Sequence, residues 1–495
     1  MSKTLSSIID HLPARVSGKT DILIDDIVFD SRQVKPGSLF VAIRGAHEDG
    51  NRFIPAAIAA GARAIVSDQE PLSAAVPWIR VPDALAALSP LSIRFWDDPS
   101  RRLKMVGITG TNGKTTITYL LESVFQAAGW KTGVMGTINY RFGKDLIPAP
   151  NTTPFASEVQ RFLARIAEAG AQACVMEVSS HALSMGRVEG VDFDVAVFTN
   201  LTQDHLDYHR TMEEYGSAKT RLFASLNPQS PKSTPKRAVI NFDDPQASRM
   251  AEASRVPILR YRLNGPADIF AQRLSSDANG SRFEVHSPKG TFQVKLPLLG
   301  EYNVMNALAT VGAACALDLP APAIQTGLQN VPGVPGRVER ILAGQPFTVV
   351  VDYAHTEDAL RKVMATLKRL NPKRLITVFG CGGDRDRTKR PLMGEAAAEL
   401  SDEVIVTSDN PRSEDPGRIA LDVEVGLRRK PSARYQIILD REEAIAQAIR
   451  LARPGDILLI AGKGHEHYQI IGTRSIPFDD REVVRRILSG ASQSS

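Results

Sequence analysis

The stretch Met105-Val106-Gly107-Ile108-Thr109-Gly110-Thr111-Asn112-Gly113-Lys114-Thr115-Thr116 decides the fold of the central part of this chain. An apolar run leads into a glycine turn, and a helical apolar pattern over 119–125 follows it. Backbone N–H groups at such a turn and the dipole of the following helix favour an anion. Lys114 can reach the outer phosphates of a nucleoside triphosphate, and the Thr115 hydroxyl can hold Mg²⁺. The stretch therefore predicts a phosphate-binding loop between a strand and a helix.

This loop departs from the usual phosphate-loop consensus in one position. The pattern G-x-x-x-x-G-K-[ST] requires glycine at position 108, where the chain has Ile108, and its first glycine is Gly110. The tripeptide Gly113-Lys114-Thr115 alone would be weak evidence. Its place between a strand and a helix favours nucleotide binding over an incidental glycine turn.

Composition limits the class of protein. With 495 residues, of which 43% are hydrophobic, the chain exceeds one core, so two to four domains are expected. The net charge of +5 comes from 60 basic and 55 acidic residues without basic blocks, which suits anionic small molecules and does not indicate nucleic acid. Three cysteines without C-x-x-C spacing indicate neither a disulfide framework nor a zinc site and fit a reducing cytoplasm. The chain has no run of about 18 apolar residues, so neither export nor membrane insertion is predicted.

A polar linker and a proline- and glycine-rich stretch divide the chain into three predicted α/β domains. The polar stretch 96–102 is interpreted as a linker, and Val331-Pro332-Gly333-Val334-Pro335-Gly336 is the second boundary. The predicted limits are 1–99 for a small α/β domain, 100–332 for a central parallel-sheet ATPase domain, and 333–495 for a doubly wound, Rossmann-like domain. The turn-rich stretch 231–300 is interpreted as an insertion or a sheet edge.

Polar residues at predicted strand ends are candidates for catalysis in the central domain. Glu177 ends an apolar strand and His205 follows the next one, where carboxylate and imidazole groups can serve a metal. A helix-cap carboxylate and a core histidine are the structural alternatives. Lys219 lies in the helical stretch 215–223, and from the residues alone it is interpreted as a solvated helix lysine.

Three polar loops follow apolar strands in the last domain, at 380–386, 408–412 and 461–466. In a doubly wound sheet such loops meet beyond the carboxyl ends of the strands. Two arginines together with acidic and amide groups would suit a ligand that carries both carboxylate and ammonium groups. Each loop alone could equally be a polar turn.

Several motifs occur in a fixed order over all three predicted domains. They are Gly110–Thr116, Asn151-Thr152-Thr153-Pro154, Met176–Leu183, Asp204-His205-Leu206-Asp207-Tyr208-His209, Gly333–Arg340, Asp352-Tyr353-Ala354-His355-Thr356 and Asp409–Arg412. Together these motifs resemble the cytoplasmic Mur ligase family. The resemblance implies an ATP-dependent ligase of peptidoglycan precursor synthesis. ATP would phosphorylate the D-glutamyl γ-carboxylate of a UDP-muramoyl dipeptide, and an incoming amine would attack the acyl phosphate.

The same resemblance implies roles for residues at the nucleotide and metal sites. ATP would be bound by Gly110, Thr111, Asn112, Gly113, Lys114, Thr115, Thr116, Asn303, Asn306, Arg337 and Asp352. Catalytic roles would belong to Lys114, Glu177, His205 and Lys219. Thr115, Glu177, His205 and a carbamylated Lys219 would serve Mg²⁺, and this carbamate replaces the interpretation of Lys219 as a solvated lysine.

Substrate roles follow in the same way. The resemblance implies that the UDP-sugar peptide is bound by Ser31, Asn151, Thr152, Thr153, Ser179 and Arg187. The chain departs from many relatives at Met185, where glutamine is usual, and at Asn51, where histidine is usual. Diaminopimelate would be bound by Arg385, Asp409, Asn410, Pro411, Arg412, Gly462 and Glu466, with Arg412 as a bidentate partner for the carboxylate that lysine lacks.

Competing hypotheses remain open from the sequence. Within ligases, they are a lysine-adding Mur enzyme and a folylpolyglutamate synthase-like protein. A P-loop ATPase switch is the alternative from another class, and it would hydrolyse ATP without an amino acid. The expected state is a cytoplasmic monomer that acts on small molecules.

Overall fold

The first sheet belongs to the N-terminal part of the computed structural model, which describes residues 2–45, 48–71, 75–263, 265–277 and 279–491. The two ends of the predicted domains, residue 1 and residues 492–495, lie outside that description. The strands are β1 (Lys3–Thr4), β2 (Arg15–Ser17), β3 (Leu23–Ile24), β4 (Asp26–Val28), β5 (Ser38–Val41), β6 (Ala64–Ser67) and β7 (Trp78–Arg80), and the helices are α1 (Leu5–Ile9), α2 (Ile54–Ala59) and α3 (Ala84–Phe95). The main sheet has the order β2-β7-β6-β5-β4 and is parallel except for β2.

The central sheet has eleven strands in the order β11-β10-β9-β12-β8-β13-β14-β15-β16-β17-β18. They are β8 (Lys104–Thr109), β9 (Thr132–Met135), β10 (Asn139–Phe142), β11 (Asp145–Pro148), β12 (Ala173–Glu177), β13 (Val195–Phe198), β14 (Arg237–Asn241), β15 (Ile258–Arg262), β16 (Ile269–Asp277), β17 (Gly280–Ser287) and β18 (Gly290–Leu296). Its helices are α4 (Lys114–Ala127), α5 (Ala156–Glu168), α6 (Ser180–Ser184), α7 (Leu206–His209), α8 (Met212–Ala224), α9 (Ala247–Ala253), α10 (Glu301–Ala316) and α11 (Ala321–Gln329).

Seven adjacent strands of this sheet, β9 to β16 in space, are parallel. Antiparallel pairs close both edges, so the stretch 231–300 continues the sheet through β14 and β15 and then forms one of its edges, and it is not a separate insertion. The buried strands β8, β12 and β13 are almost entirely apolar, as strands covered by helices on both faces must be. Their carboxyl ends therefore form one polar edge.

The last sheet has the order β19-β20-β24-β21-β22-β23 and is parallel except for β19. The strands are β19 (Glu339–Ile341), β20 (Thr348–Asp352), β21 (Leu375–Phe379), β22 (Glu403–Val406), β23 (Tyr435–Ile437) and β24 (Ile457–Ala461), with a hairpin of β25 (Tyr468–Ile471) and β26 (Arg474–Pro477). The helices are α12 (Glu357–Lys368), α13 (Lys389–Leu400), α14 (Pro416–Leu427), α15 (Arg441–Leu451) and α16 (Asp480–Ala491). The predicted α/β class with three domains is confirmed.

The predicted linker 96–102 is more ordered than its polar composition suggests. Residues Pro99–Arg102 form a 3₁₀ helix, and Ser100 is buried. The Ser100 Oγ accepts a hydrogen bond of 3.0 Å from the backbone N–H of Asp192, so the connection is fixed to the central domain. No helix among the described residues is both long and apolar enough to cross a membrane.

Candidate active site

The loop between β8 and α4 has the geometry of a phosphate cradle. Gly113 has φ of 92°, and a Cβ at this position would lie 2.4 Å from the Asn306 side-chain oxygen, so only glycine fits. The Lys114 Nζ donates to the carbonyls of Gly110 and Thr111 at 2.8 and 2.9 Å. Burial lowers the pKa of Lys114. The ammonium is therefore held over the loop, where phosphate oxygens could replace the two carbonyls.

Glu177 lies at the carboxyl end of β12 and is fully buried. Thr115 Oγ1 donates to Glu177 Oε2 at 3.1 Å, which joins the start of α4 to the strand next to β8. Thr137 donates to the same carboxylate through its backbone N–H and its hydroxyl, both at 2.9 Å. The carboxylate and the Thr115 hydroxyl thus form one oxygen-rich group beside the loop.

Lys219 is buried, with 1% of its surface exposed, so the interpretation as a solvated helix lysine is wrong. Its Nζ lies 4.2 Å from the centroid of the Tyr215 ring, one turn earlier on α8. Burial and the nearby Lys114 charge lower its pKa well below the ordinary lysine value. Tyr215 itself packs against the phosphate loop, since its hydroxyl lies 3.2 Å from Thr111 Oγ1. Lys219 therefore lies close to the phosphate loop.

His205 follows β13 and has the left-handed φ of 57°. Its ring lies 4.8 Å from the ring of His181, and its Nε2 is 3.5 Å from Asp204 Oδ2. Burial lowers the pKa of His205 to about 3, against the opposing effect of Asp204. The imidazole is therefore neutral near pH 7, the form that can accept a proton or bind a metal.

The oxygen atoms of Thr115 and Glu177 fit the requirements of Mg²⁺ in a nucleotide site. No cluster of three His, Cys, Asp or Glu side chains suited to a metal occurs within the described residues. Mg²⁺ in nucleotide sites takes only one or two protein oxygens and completes its shell with phosphates and water. Thr115 and Glu177 supply two such oxygens 3.1 Å apart, so the donor set fits a phosphate-bound Mg²⁺.

A cavity of about 530 Å³ lies between the central and last domains. Many of the residues predicted to bind ATP line it, namely Asn112, Gly113, Thr116, Asn303, Asn306, Arg337 and Asp352. Gly110, Thr111, Lys114 and Thr115 belong to the adjoining loop and helix start. Arg337 crosses the domain boundary, since its guanidinium lies 3.3 Å from Thr115 Oγ1. Tyr261, Leu263 and Tyr302 add rings and apolar surface that could cover a base.

Most of the residues predicted to bind the UDP-sugar peptide form one hydrogen-bonded group. Thr153 Oγ1 donates to the Glu177 carbonyl at 2.8 Å and accepts from the Ser179 N–H at 3.0 Å. Arg187 donates to the Thr153 carbonyl at 2.9 Å. Thr152 Oγ1 lies 3.1 Å from Thr137 Oγ1, and the Asn151 carbonyl accepts from Tyr140. This group lies directly beside Glu177.

Ser31 approaches the same group from the N-terminal domain. It starts the 3₁₀ helix Ser31–Gln33, whose cap is Asp30. Phe29 precedes it by two residues and packs on Phe155, with ring centroids 4.5 Å apart. Phe155 follows Thr153 by two residues, so the two segments meet at this contact.

The two departures from many relatives have different surroundings. Met185 accepts a contact of 3.4 Å on its sulfur from the Arg187 guanidinium, so a thioether occupies the place of an amide. Asn51 is buried, accepts from Ser67 at 2.7 Å and donates to Asp49 and Asp68. Asn51 therefore serves the packing of the N-terminal domain.

Two arginines share one crevice in the last domain. Arg412 is half-buried, has the left-handed φ of 52°, and donates to the Gly383 carbonyl at 2.7 Å. Burial lowers the pKa of Arg412, and the neighbouring charge of Arg385 lowers it further. Two guanidinium groups that repel each other in this way create a site for an anion.

Acidic and amide groups lie on the other side of this crevice. Asn410 Nδ2 donates to Glu466 Oε2 at 2.9 Å. Gly462, with φ of 113°, leaves room for Asp409, because a Cβ there would lie 2.5 Å from Asp409 Oδ2. Pro411 is buried beside Asn410 and directs the chain into Arg412. The predicted set thus gathers positive and negative groups on the same sheet edge.

Sequence reasoning missed some residues of this region. Thr137 binds the Glu177 carboxylate but lies in a loop with no distinctive pattern. Asn200 follows β13, and its Oδ1 accepts a hydrogen bond of 3.0 Å from the Asn112 N–H in the phosphate loop. Lys463 lies in the polar loop 461–466 and donates hydrogen bonds to Glu466 and Asn410. These roles depend on contacts between distant segments, which the local sequence does not display.

Three family models match the chain in order. They are "Mur ligase family, catalytic domain" over residues 24–96, "Mur ligase middle domain" over 108–314 and "Mur ligase, glutamate ligase domain" over 336–464. Together the matched ranges cover most of the chain.

Curated proteins show the same similarity over nearly the whole length. UDP-N-acetylmuramoyl-L-alanyl-D-glutamate--2,6-diaminopimelate ligase of Bacillus licheniformis is 46% identical over 472 residues, covering 95% of this chain and 96% of that protein. The ligase of the same name from Gloeobacter violaceus is 48% identical, covering 95% and 94%.

Solved structures share the fold. A UDP-N-acetylmuramoyl-L-alanyl-D-glutamate--2,6-diaminopimelate ligase aligns with TM-score 0.66 at 37% identity, over 99% of this chain and 100% of that one. MurF from Acinetobacter baumannii, at 20% identity, aligns with TM-score 0.72 over 100% and 99%, which shows the fold alone. The matches in all three regions and the identity over almost the full length establish that this chain belongs to the Mur ligase family.

Proposed function

We propose that this protein is an ATP-dependent ligase that adds meso-2,6-diaminopimelate to the D-glutamyl γ-carboxylate of UDP-N-acetylmuramoyl-L-alanyl-D-glutamate, in peptidoglycan precursor synthesis. The proposal rests on the names of the near-full-length relatives and on one structural observation. A phosphate loop with a strand-end carboxylate lies in one domain, and a crevice with two arginines lies in the next. An amide-forming ligase needs one site that activates the acyl group and a second site that holds the amine to which the acyl group is transferred.

In the proposed reaction, an oxygen of the γ-carboxylate attacks the γ-phosphorus of ATP, and ADP leaves. The incoming amine, in its neutral form, then attacks the acyl carbon and loses a proton, and phosphate leaves with the oxygen that the carboxylate supplied. Lys114 and the loop N–H groups offset the charge that builds up on the transferred phosphoryl group. Mg²⁺, when bound through Thr115 and Glu177, adds further positive charge there. The remaining nucleotide contacts are those predicted from the family, in the cavity that Arg337 closes from the last domain.

Lys219 fits a carbamate because burial favours its neutral amine, the form that can attack CO₂. The amine nitrogen bonds to the carbon of CO₂ and releases a proton, so a neutral buried amine becomes an anion near Lys114. This anion and His205 would assist the metal and phosphate site. Glu177 keeps its place through the three bonds from Thr115 and Thr137.

The other two substrates would be bound by the two remaining groups of predicted residues. Ser31, Asn151, Thr152, Thr153, Ser179 and Arg187 would hold the UDP-sugar peptide with its γ-carboxylate near Glu177. Arg385 and Arg412 would hold the far carboxylate of diaminopimelate, while Asp409, Asn410, Pro411, Gly462 and Glu466 would surround its ammonium. We also propose domain limits of 1–99, 100–332 and 333–495, and a cytoplasmic monomer that works on these small molecules.

The test follows an oxygen atom. A UDP-muramoyl dipeptide labelled with ¹⁸O in its γ-carboxylate is incubated with ATP, Mg²⁺ and diaminopimelate, and products are analysed by mass spectrometry. The proposal predicts a UDP-muramoyl tripeptide and one ¹⁸O in the released phosphate. Unlabelled phosphate together with unchanged dipeptide would support the ATPase alternative and contradict the ligase.

A further inference from the structure

Lys463 is a fully buried cation next to the proposed amino-acid crevice, with 0% of its surface exposed. It follows β24 by two residues. Its Nζ donates to Glu466 Oε2 at 2.8 Å and to Asn410 Oδ1 at 3.2 Å. A buried ammonium is costly unless it is paired, so these two bonds account for its presence.

The same bonds fix the orientation of Asn410. Its Oδ1 also accepts from the backbone N–H of Ile470 at 2.9 Å, so the amide has its oxygen toward Lys463. Its Nδ2 therefore points to Glu466 Oε2, 2.9 Å away. Both Asn410 and Lys463 bind the same oxygen of Glu466. Neither of these bonds uses Oε1.

Charge balance gives Lys463 a second effect. Glu466 is largely buried, and burial together with the neighbouring Asp409 raises its pKa, while Lys463 acts in the opposite direction. Two carboxyl groups in one buried site tend to share a proton unless a cation is near. Lys463 is the cation bonded directly to Glu466.

We propose that Lys463 is a positioning residue for amino-acid selection. It keeps the Glu466 carboxylate charged and holds it in an orientation in which the other oxygen, Oε1, accepts a hydrogen bond from the far ammonium of the incoming amino acid. The inference rests on the proposed function and adds a residue to its substrate site. Arg412 and Arg385 serve the far carboxylate, and the Lys463–Glu466–Asn410 group serves the far ammonium. Recognition of the two charges is thus divided between two sets of residues.

An amino acid that lacks only the far ammonium separates these roles. L-2-aminopimelate keeps the reacting amine and the far carboxylate of diaminopimelate. We expect the unaltered protein to prefer diaminopimelate over L-2-aminopimelate by roughly ten- to a hundredfold in kcat/KM, because Glu466 would lose its partner. In Lys463→Met this ratio should fall at least about fivefold, through a loss for diaminopimelate.

Controls distinguish selection from damage to the fold. Lys373→Met changes an exposed lysine just before the amino end of β21, at the opposite end of the strands of the same sheet, and should leave the ratio unchanged. ADP affinity, measured by calorimetry, should be within about twofold of normal in both variants. In a Glu466→Gln background, Lys463→Met should change the ratio by less than about twofold, because the residue through which it acts is already neutral.

The double variant removes both buried charges, so it remains informative if Lys463→Met fails to fold. Its ratio should equal that of Glu466→Gln alone, and a ratio like that of the unaltered protein would overturn the inference. An unchanged ratio in folded Lys463→Met would also overturn it while leaving the proposed function intact. If the unaltered protein used neither amino acid, the proposed function would fail and the inference with it.

Discussion

Lys114 is the residue on which the phosphate site depends most directly. Its ammonium lies over the loop, 2.8 Å from the Gly110 carbonyl, where a γ-phosphate would develop charge. We expect Lys114→Ala to lower turnover by at least about a hundredfold. Lys144→Ala, at an exposed lysine in the β10–β11 turn, is the matched control. Phosphate release in steady state measures both, and near-normal turnover of folded Lys114→Ala would refute the assignment.

Lys219 allows a chemical rescue. If a carbamate at Lys219 assists the metal, Lys219→Ala should be nearly inactive and should regain part of its turnover with short carboxylic acids, which replace the missing anion. The same acids should not rescue Lys114→Ala, which lacks a cation. Activity of Lys219→Ala at the wild-type level in the absence of added carboxylic acids would return this lysine to a packing role.

The residue scale also shows where the sequence is insufficient. Lys114 and Thr115 could be predicted because their chemistry is local to one loop. Lys219 could not be recognised as buried, because its helix has a polar pattern and Tyr215 covers it through tertiary packing. Thr137 binds a carboxylate 40 residues away in the chain, and Lys463 binds the Asn410 amide 53 residues away, so only the folded structure makes these bonds visible.

At the scale of elements, a buried ion pair joins α15 to α16. Arg441 and Asp480 are both fully buried and 2.7 Å apart, and Arg441 also donates to the carbonyls of Ser408 and Ala461. These carbonyls immediately precede Asp409 and Gly462. The pair therefore fixes the strand ends that carry the proposed amino-acid site.

Breaking this pair should destabilise the last domain. We expect Asp480→Asn to lower its free energy of unfolding by about 3–5 kcal/mol, because an unpaired guanidinium would remain buried. Glu443→Gln removes an exposed partner of Arg450 on the same helix and should cost less than about 1 kcal/mol. Denaturant titration followed by circular dichroism measures both changes. Equal stabilities of the two variants would contradict the role given to the buried pair.

Elements with strong apolar runs were predictable. β8 and α4 lie where the sequence predicted a strand and a helix on either side of the phosphate loop. The edge strands β16 to β18 were not predicted one by one, since the stretch 231–300 was interpreted only as an insertion or a sheet edge, although each strand has seven to nine residues. Their outer faces are polar, so alternation is diluted by turns and charges. Their pairing with the parallel core depends on distant strands that local patterns do not reveal.

At the scale of the whole molecule, side chains already connect the central and last domains. Asn112 donates to Asp358 at 3.2 Å, and Gln203 donates to Asp386 and Thr388 at 3.2 and 3.0 Å. These residues flank the phosphate loop, the His205 loop and the Arg385 loop. Movement of the last domain would therefore change the geometry of the reacting groups.

Closure of the last domain should accompany substrate binding. The amine must come within about 3–3.5 Å of the acyl carbon before it attacks. We expect X-ray scattering to give a smaller radius of gyration with a non-hydrolysable nucleotide and both substrates than for the free protein. Nucleotide alone is the control. An extended free protein that stays extended with all three ligands would contradict closure.

The central claim is that ATP cleavage is coupled to amide formation with diaminopimelate. The most direct measurement is phosphate release with purified UDP-muramoyl dipeptide and a panel of amino acids, including reactions that omit each substrate. We predict release only when both co-substrates are present, with diaminopimelate favoured over lysine by roughly thirty- to a thousandfold in kcat/KM, because Arg412 would lack its carboxylate partner. Sustained release without an amino acid, or equal use of lysine and diaminopimelate, would contradict the account.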